Sequence, residues 1–138
     1  MIVNLPYFRE IKEQHAKDIL MILLERDESF SVLAHTPAIK FDPELPKNIT
    51  EQFTDVIIFA IANYTLQSAH ISDDNFVFEA GFGEENIGSV VTVPISNIIQ
   101  ITQDEVPLFV NAAATLPKEE KPKNPFAANP RNKKFIKD

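Results

Sequence analysis

Apolar residues at helical spacing open the chain and predict a single long helix. From Phe8 to Leu23 they recur every three or four positions, and Pro6 suits a first helical turn, so we predict a helix over residues 6–25. The second half of this segment is apolar on nearly every side, whereas a helix needs only one apolar stripe to pack on a single sheet. The helix is therefore either buried deeply in its own domain or packed against a second copy of the chain. The residues that would form such a dimer interface are Ile19, Ile22 and Leu23.

Strand-like patterns follow this helix as far as residue 72. Residues 29–35 alternate as a half-buried strand does, with one side formed by Phe30, Val32 and Ala34. Prolines interrupt residues 38–46, which we predict to be an edge strand or a loop. The run at residues 56–62 is continuously apolar, and it predicts a central strand that is covered on both faces. A polar loop is predicted at residues 63–68, and a short strand at residues 69–72.

A β-hairpin followed by a short helix is predicted for residues 76–101. Alternate residues of the first strand share one face: Phe76, Phe78, Ala80 and Phe82. All three glycines of the chain lie in the turning half of this hairpin, with the turn predicted at residues 83–88. Pro94 and the isoleucines after it predict a helix that docks on the sheet: Ile95, Ile98 and Ile99. A last edge strand is predicted at residues 106–110, where Pro107 interrupts it.

Composition and charge divide the 138 residues into a body and a tail. The hydrophobic share of 44% is that of an ordinary globular domain. Residues 1–114 carry 6 Lys/Arg against 17 Asp/Glu, a net charge of −11, whereas residues 115–138 carry 7 against 3, a net charge of +4. Because four of the ten prolines also lie in this tail, we predict a disordered linker over residues 115–130. The acidic body repels phosphate backbones, which argues against nucleic acid as a partner.

Residue types that support catalysis or metal binding are present but are not grouped. The three histidines, His15, His35 and His70, form no metal-ligating or nucleophile motif, and the absence of cysteine excludes disulfides and thiolate sites. We therefore predict a protein that is not an enzyme and needs neither a cofactor nor a metal. The apolar runs are shorter than the roughly 20 residues that span a bilayer. The first residues lack the pattern of a secretion signal, so we expect a cytoplasmic protein without a membrane partner.

Three segments resemble the stringent starvation protein B (SspB) family: Ile57 to Asn63, Phe76 to Gly83, and Val91 to Ile95 with Ile98 and Ile101. Members of that family are dimeric adaptors that deliver ssrA-tagged proteins to the ClpXP protease. The resemblance implies an α+β fold, mainly β with helices, in which an N-terminal helix accompanies a small Sm-like β-barrel. It also implies a peptide-binding domain at residues 1–114, a linker at 115–130 and a ClpX-docking peptide at 131–138.

The same resemblance assigns residues to two binding functions. The substrate-peptide groove would be lined by Ala60, Ala62, Asn63, Ala80, Phe82 and Gly83. The ClpX-docking residues would be Arg131, Lys133, Lys134, Phe135, Ile136 and Lys137. The chain departs from the family pattern at Gly81 and Glu84, where the family commonly has an arginine and a glycine. The alternative is an Sm-like barrel that serves as a structural dimer module or binds RNA.

Overall fold

The computed structural model describes residues 1–111, in which one long helix precedes eight strands and two short helices. The helices are α1 (Pro6–Arg26), α2 (Lys47–Thr50) and α3 (Asn63–Ser68). The strands are β1 (Phe30–His35), β2 (Lys40–Asp42), β3 (Val56–Ile61), β4 (His70–Ser72), β5 (Asn75–Phe82), β6 (Ile87–Pro94), β7 (Ile98–Gln103) and β8 (Val106–Val110). The predictions for residues 115–130 and 131–138 lie outside the described residues.

Two long bent strands connect two antiparallel sheets. A 3-10 turn at Thr36–Ala38 joins β1 to β2, and a second one at Ile95–Asn97 joins β6 to β7. Because β1 pairs with β7 and β2 pairs with β6, these four strands form one antiparallel ribbon that bends at both turns. The sheet orders are β3-β1-β7-β8 and β2-β6-β5-β4.

Aromatic rings fill the space between the two sheets. The ring of Phe59 on β3 meets the ring of Phe78 on β5 edge-on, with their centroids 5.1 Å apart. Phe76 lies beside Phe78 and also contacts Phe30 on β1. These rings are almost fully buried, so apolar contacts between the two sheets stabilise the fold in addition to backbone pairing.

Helix α1 packs along the sheets and buries one face. Ala16, Leu20 and Leu23 recur at spacings of four and three and are part of the core. Asp27 ends the helix in the left-handed conformation, which Asp tolerates better than most residues. At that end the Gln103 amide donates a hydrogen bond to the Glu28 carboxylate at 2.9 Å, which links the helix to β7.

Several predictions from the sequence are confirmed. The first helix ends one residue later than predicted, and β1 buries the side formed by Phe30, Val32 and Ala34. The hairpin β5–β6 and the edge positions of β2 and β8 are also as predicted. The α+β fold class is confirmed at the level of one long helix with two antiparallel sheets, and residues 1–111 do not form a closed barrel.

Three predictions of secondary structure are wrong. Strand β3 is an edge strand rather than a central one, because only β1 pairs with it. Residues 63–68 form the short helix α3 instead of a loop. The isoleucines after Pro94 form a single 3-10 turn and then β7, since the bent ribbon gives their backbone a partner in β1.

The structure separates the three residues that were predicted for a dimer interface. Leu23 is only 4% exposed and packs in the core of its own chain, so it offers no surface to a second copy. Ile19 is half-buried against the same core, whereas Ile22 is 55% exposed. Leu23 is therefore buried in its own domain. Among the three, only the exposed surface around Ile22 is accessible to a second copy of the chain.

No helix within residues 1–111 is both long enough and apolar enough to cross a membrane.

Two isoleucines of β3 provide a matched test of this burial pattern. Ile61 is fully buried and Ile58 is 66% exposed. We expect Ile61→Ala to lower the free energy of unfolding by about 2 to 5 kcal/mol, because it leaves a cavity between the sheets. Ile58→Ala should lower it by less than about 1 kcal/mol. Urea unfolding followed by circular dichroism measures both, and equal losses would contradict the placement of β3.

Candidate functional site

Strand β3 is the longest edge strand in residues 1–111. Of the other edge strands, β2 and β4 have only three residues each, so β4 leaves Phe78 to Phe82 of β5 without a strand partner, and β8 contains Pro107. Strand β3 has six residues, none of which is charged or a proline. Its backbone groups on the side away from β1 have no strand partner. A long apolar edge of this kind is a template for pairing with another extended chain.

A groove of about 370 Å³ lies over the outer face of the first sheet, on the side of β3 that faces β1. Ile58, Ala60 and Ala62 form one side of it, and Ser31 and Thr102 form its floor from the neighbouring strands. Asp104 and Glu105 lie in the turn between β7 and β8 at its margin. The small side chains leave room for a peptide backbone, and the two carboxylates make this margin acidic. We call this the edge groove.

A second groove of about 460 Å³ lies on the outer face of the other sheet. Gly81 and Gly88 face each other across β5 and β6, so neither strand places a side chain at this level. The Asn86 side chain lies over Gly81 instead: a Cβ atom on Gly81 would clash with Oδ1 of Asn86, so any side chain at this position would displace the Asn86 amide. Gly81 therefore makes room for the hairpin turn to fold back over β5. We call this the glycine groove.

A tyrosine and a carboxylate are joined by a hydrogen bond at the wall of the glycine groove. The hydroxyl of Tyr64, on α3, donates to Oε1 of Glu79 at 2.6 Å. This bond, together with the negative charge of Glu79, raises the pKa of Tyr64 above its ordinary value. The pair connects α3 to β5 and fixes the side of the groove that α3 forms.

A third groove of about 550 Å³ lies at the tip of the hairpin, next to α2. Phe82 meets Phe41 edge-on at 5.5 Å between ring centroids, and Phe53 contacts both rings. Gly83 has a φ of 75°, and a Cβ atom on it would lie 3.1 Å from Cδ1 of Ile49, so only glycine fits there without strain. The rim next to Gly83 consists of Glu84 and Glu85. We call this the tip groove.

The six residues that were predicted to bind peptide do not share one groove. Ala60 and Ala62 line the edge groove, Ala80 lines the glycine groove, and Phe82 and Gly83 line the tip groove. Asn63 lines none of these three; it is the first residue of α3, with a φ of 54°.

Two features of these grooves were missed from the sequence. The exposure of Ile58 is one, because the continuous apolar run at residues 56–62 predicts a strand that is covered on both faces. The Tyr64–Glu79 pair was missed because the two residues are fifteen positions apart, and no local pattern joins them. The predicted ClpX-docking residues 131–137 lie outside the described part of the chain.

No group of three or more His, Cys, Asp or Glu side chains within residues 1–111 is placed to hold a metal ion. No protein-family model, curated protein or solved structure matches this chain. The resemblance to the SspB family therefore stays a prediction from the sequence.

The Tyr64–Glu79 pair predicts a titration that can be measured directly. The chain has two tyrosines, so Tyr7→Phe leaves Tyr64 as the only one. In that background, we expect Glu79→Gln to lower the pKa of Tyr64 towards its ordinary value of about 10. Any stability from this bond is present below about pH 10 and is lost as the pH rises through the folded-state pKa. Absorbance at 295 nm reports the ionisation of the tyrosine.

The control variant Glu84→Gln should leave the pKa of Tyr64 unchanged. An unchanged pKa of Tyr64 in Glu79→Gln would contradict the hydrogen bond.

Proposed function

We propose that this chain is a non-enzymatic, homodimeric adaptor of the cytoplasm that binds unstructured substrate peptides, of the ssrA type or similar, and tethers them to the ClpX unfoldase for degradation by ClpXP. The observation that carries the proposal is the open apolar edge of β3. The resemblance to the SspB family supplies the identity of the cargo and of the unfoldase. The geometry of the edge supports the mode of binding.

Strand addition is the mode of peptide binding that the open edge of β3 favours. An extended peptide placed beside β3 would satisfy the backbone groups that β1 leaves unpaired. Alternate side chains of that peptide would lie on the outer face beside Ile58 and Ala60, at the margin of the edge groove. Ile58 would gain a partner for an apolar side chain that is 66% exposed in the free chain. Backbone pairing supplies affinity without demanding one sequence, as an adaptor for unstructured peptides requires.

The second contact of an adaptor would come from the tail. Residues 131–138 carry four cations around Phe135 and Ile136, and the proposal assigns this segment to ClpX. A flexible tether of about 20 residues holds two linked contacts at an effective concentration of order mM. Two individually weak contacts are then enough to deliver cargo.

The edge of β3 also favours one alternative, in which a second copy of the chain covers it and the protein is a structural dimer module. Pairing of two β3 strands would bury Ile58 in both copies. RNA binding is less well supported, because 17 carboxylates stand against 6 cations in residues 1–111. Light scattering of Ile58→Lys separates the two, since β3–β3 pairing requires that this change convert a dimer into a monomer, whereas an adaptor that dimerises through α1 would stay a dimer.

A charge on the edge of β3 should weaken peptide binding. We expect Ile58→Lys to weaken binding of a labelled ssrA-type peptide by at least about tenfold in fluorescence anisotropy, because the lysine blocks strand pairing. Val110→Lys is the matched control, since Val110 is an exposed apolar residue on the other edge of the same sheet. Equal loss of binding in both variants would contradict the placement of the cargo at β3.

Removal of residues 131–138 should abolish capture of ClpX in a pull-down. Phe135→Ala should act nearly as strongly, because a buried aromatic anchor dominates a short docking peptide. Phe126→Ala changes the other phenylalanine of the tail and should retain capture. Undiminished capture by the truncated chain would contradict the assignment of the tail.

A further inference from the structure

The tip groove differs from the other two grooves because a cluster of half-buried phenylalanine rings forms its floor beside an acidic rim. We propose that it is the intramolecular docking site of the chain's own C-terminal segment, residues 131–138. In this arrangement Phe135 and Ile136 pack on the floor, and the neighbouring lysines lie against the rim. The proposal does not depend on cargo binding at β3, which is in a different groove.

The floor of the tip groove is a partly open aromatic cluster. Phe53 and Phe82 are half-buried, and their rings lie 6.4 Å apart between centroids. The apolar residues that line the groove are Ile49, Phe53, Phe82 and Ile87. Rings that are already ordered by each other accept an added apolar side chain at little further loss of conformational entropy. Burial of one phenylalanine and one isoleucine is therefore favourable here.

The rim has the opposite charge to the tail. Glu84 and Glu85 are exposed, and the structure gives neither one an ion pair within residues 1–111. No lysine or arginine lines the groove. The terminal segment, in contrast, places Lys133, Lys134 and Lys137 on both sides of its apolar pair. The segment therefore offers apolar side chains for the floor of the groove and positive charges for its acidic rim.

The linker is long enough to reach the groove from its point of attachment. The described chain ends beside β7, where the Asn111 N–H donates to the Ile99 carbonyl at 2.8 Å. Along the bent ribbon, Ile99 is about 12 residues from Ile87 at the groove, a path of at most roughly 40 Å. About 20 residues separate positions 111 and 131; as a flexible coil they span roughly 25 Å, and fully extended about 66 Å.

Tethering makes even a weak contact significant. At an effective concentration of order mM, a segment with a Kd of about 1 mM for the groove occupies it about half of the time. A partner that binds Phe135 and Ile136 must then compete with the body of the same molecule. The tip groove would thus hold the tail when the partner is absent and release it when the partner binds, because both contacts use the same apolar pair.

Paramagnetic relaxation in the full chain tests this docking without cargo or an unfoldase. Because the chain has no cysteine, Asp138→Cys accepts a single nitroxide label. We expect amide signals of residues 82–87 and 49–53 to lose at least about half of their intensity, as an occupancy near one half implies. Phe135→Ala combined with Ile136→Ala should restore these signals, whereas Phe126→Ala should not.

The rim has its own matched pair of variants. Glu84→Gln combined with Glu85→Gln should reduce the broadening, and Asp104→Asn combined with Glu105→Gln should leave it unchanged, because the latter pair lies on a different acidic turn. A chain without signal loss at residues 82–87, or with loss that survives the Phe135 and Ile136 changes, would overturn the proposal. Signal loss in an isotope-labelled chain mixed with a separate spin-labelled one would indicate contact between copies and would also overturn it.

Discussion

The bend in the β1–β2 and β6–β7 ribbon is the constraint on which the rest of this structure depends. Both strands turn at the same level, at Thr36–Ala38 and Ile95–Asn97, so one pair of strands contributes to two sheets. The bend places Phe59 and Phe78, which belong to different sheets, in direct contact. A straight ribbon would leave these rings on one flat face, with no second layer to bury them. The hydrophobic core therefore exists because the ribbon bends.

The same bend determines where the edges of the sheets lie. An open pair of sheets has four edges, and backbone groups at each edge lack strand partners. Short strands and Pro107 reduce the risk at three of them, but β3 is long and apolar. An edge strand of this length without a charge or a proline is a surface suited to a specific partner. The proposed binding of extended peptides follows from this asymmetry more than from any single side chain.

The sequence predicts most of this fold, and its failures have a physical cause. Helix α1 and hairpin β5–β6 were predictable because their patterns are local and strongly periodic. The run containing β3 was misread because a continuous apolar strand is normally buried on both faces, whereas here Ile58 points outward. Strand β7 was misread because isoleucine spacing suits a helix as well, and only pairing with β1, some 65 positions away in the chain, selects a strand. The peptide-binding residues stay a prediction: the alanines and Phe82 line grooves, but not one common groove.

The division of the predicted site into separate grooves allows two contacts that a single groove would exclude. If cargo and tail used one groove, the tail would compete with cargo at an effective concentration of order mM, and weak cargo would be displaced. The edge groove and the tip groove have no lining residue in common. Their chemistry also differs, since β3 offers unpaired backbone groups and the hairpin tip offers aromatic rings beside two carboxylates. An extended peptide of varied sequence suits the first, and a basic segment with an apolar pair suits the second. Separate grooves thus let the body hold its own tail without closing the edge at which cargo would bind.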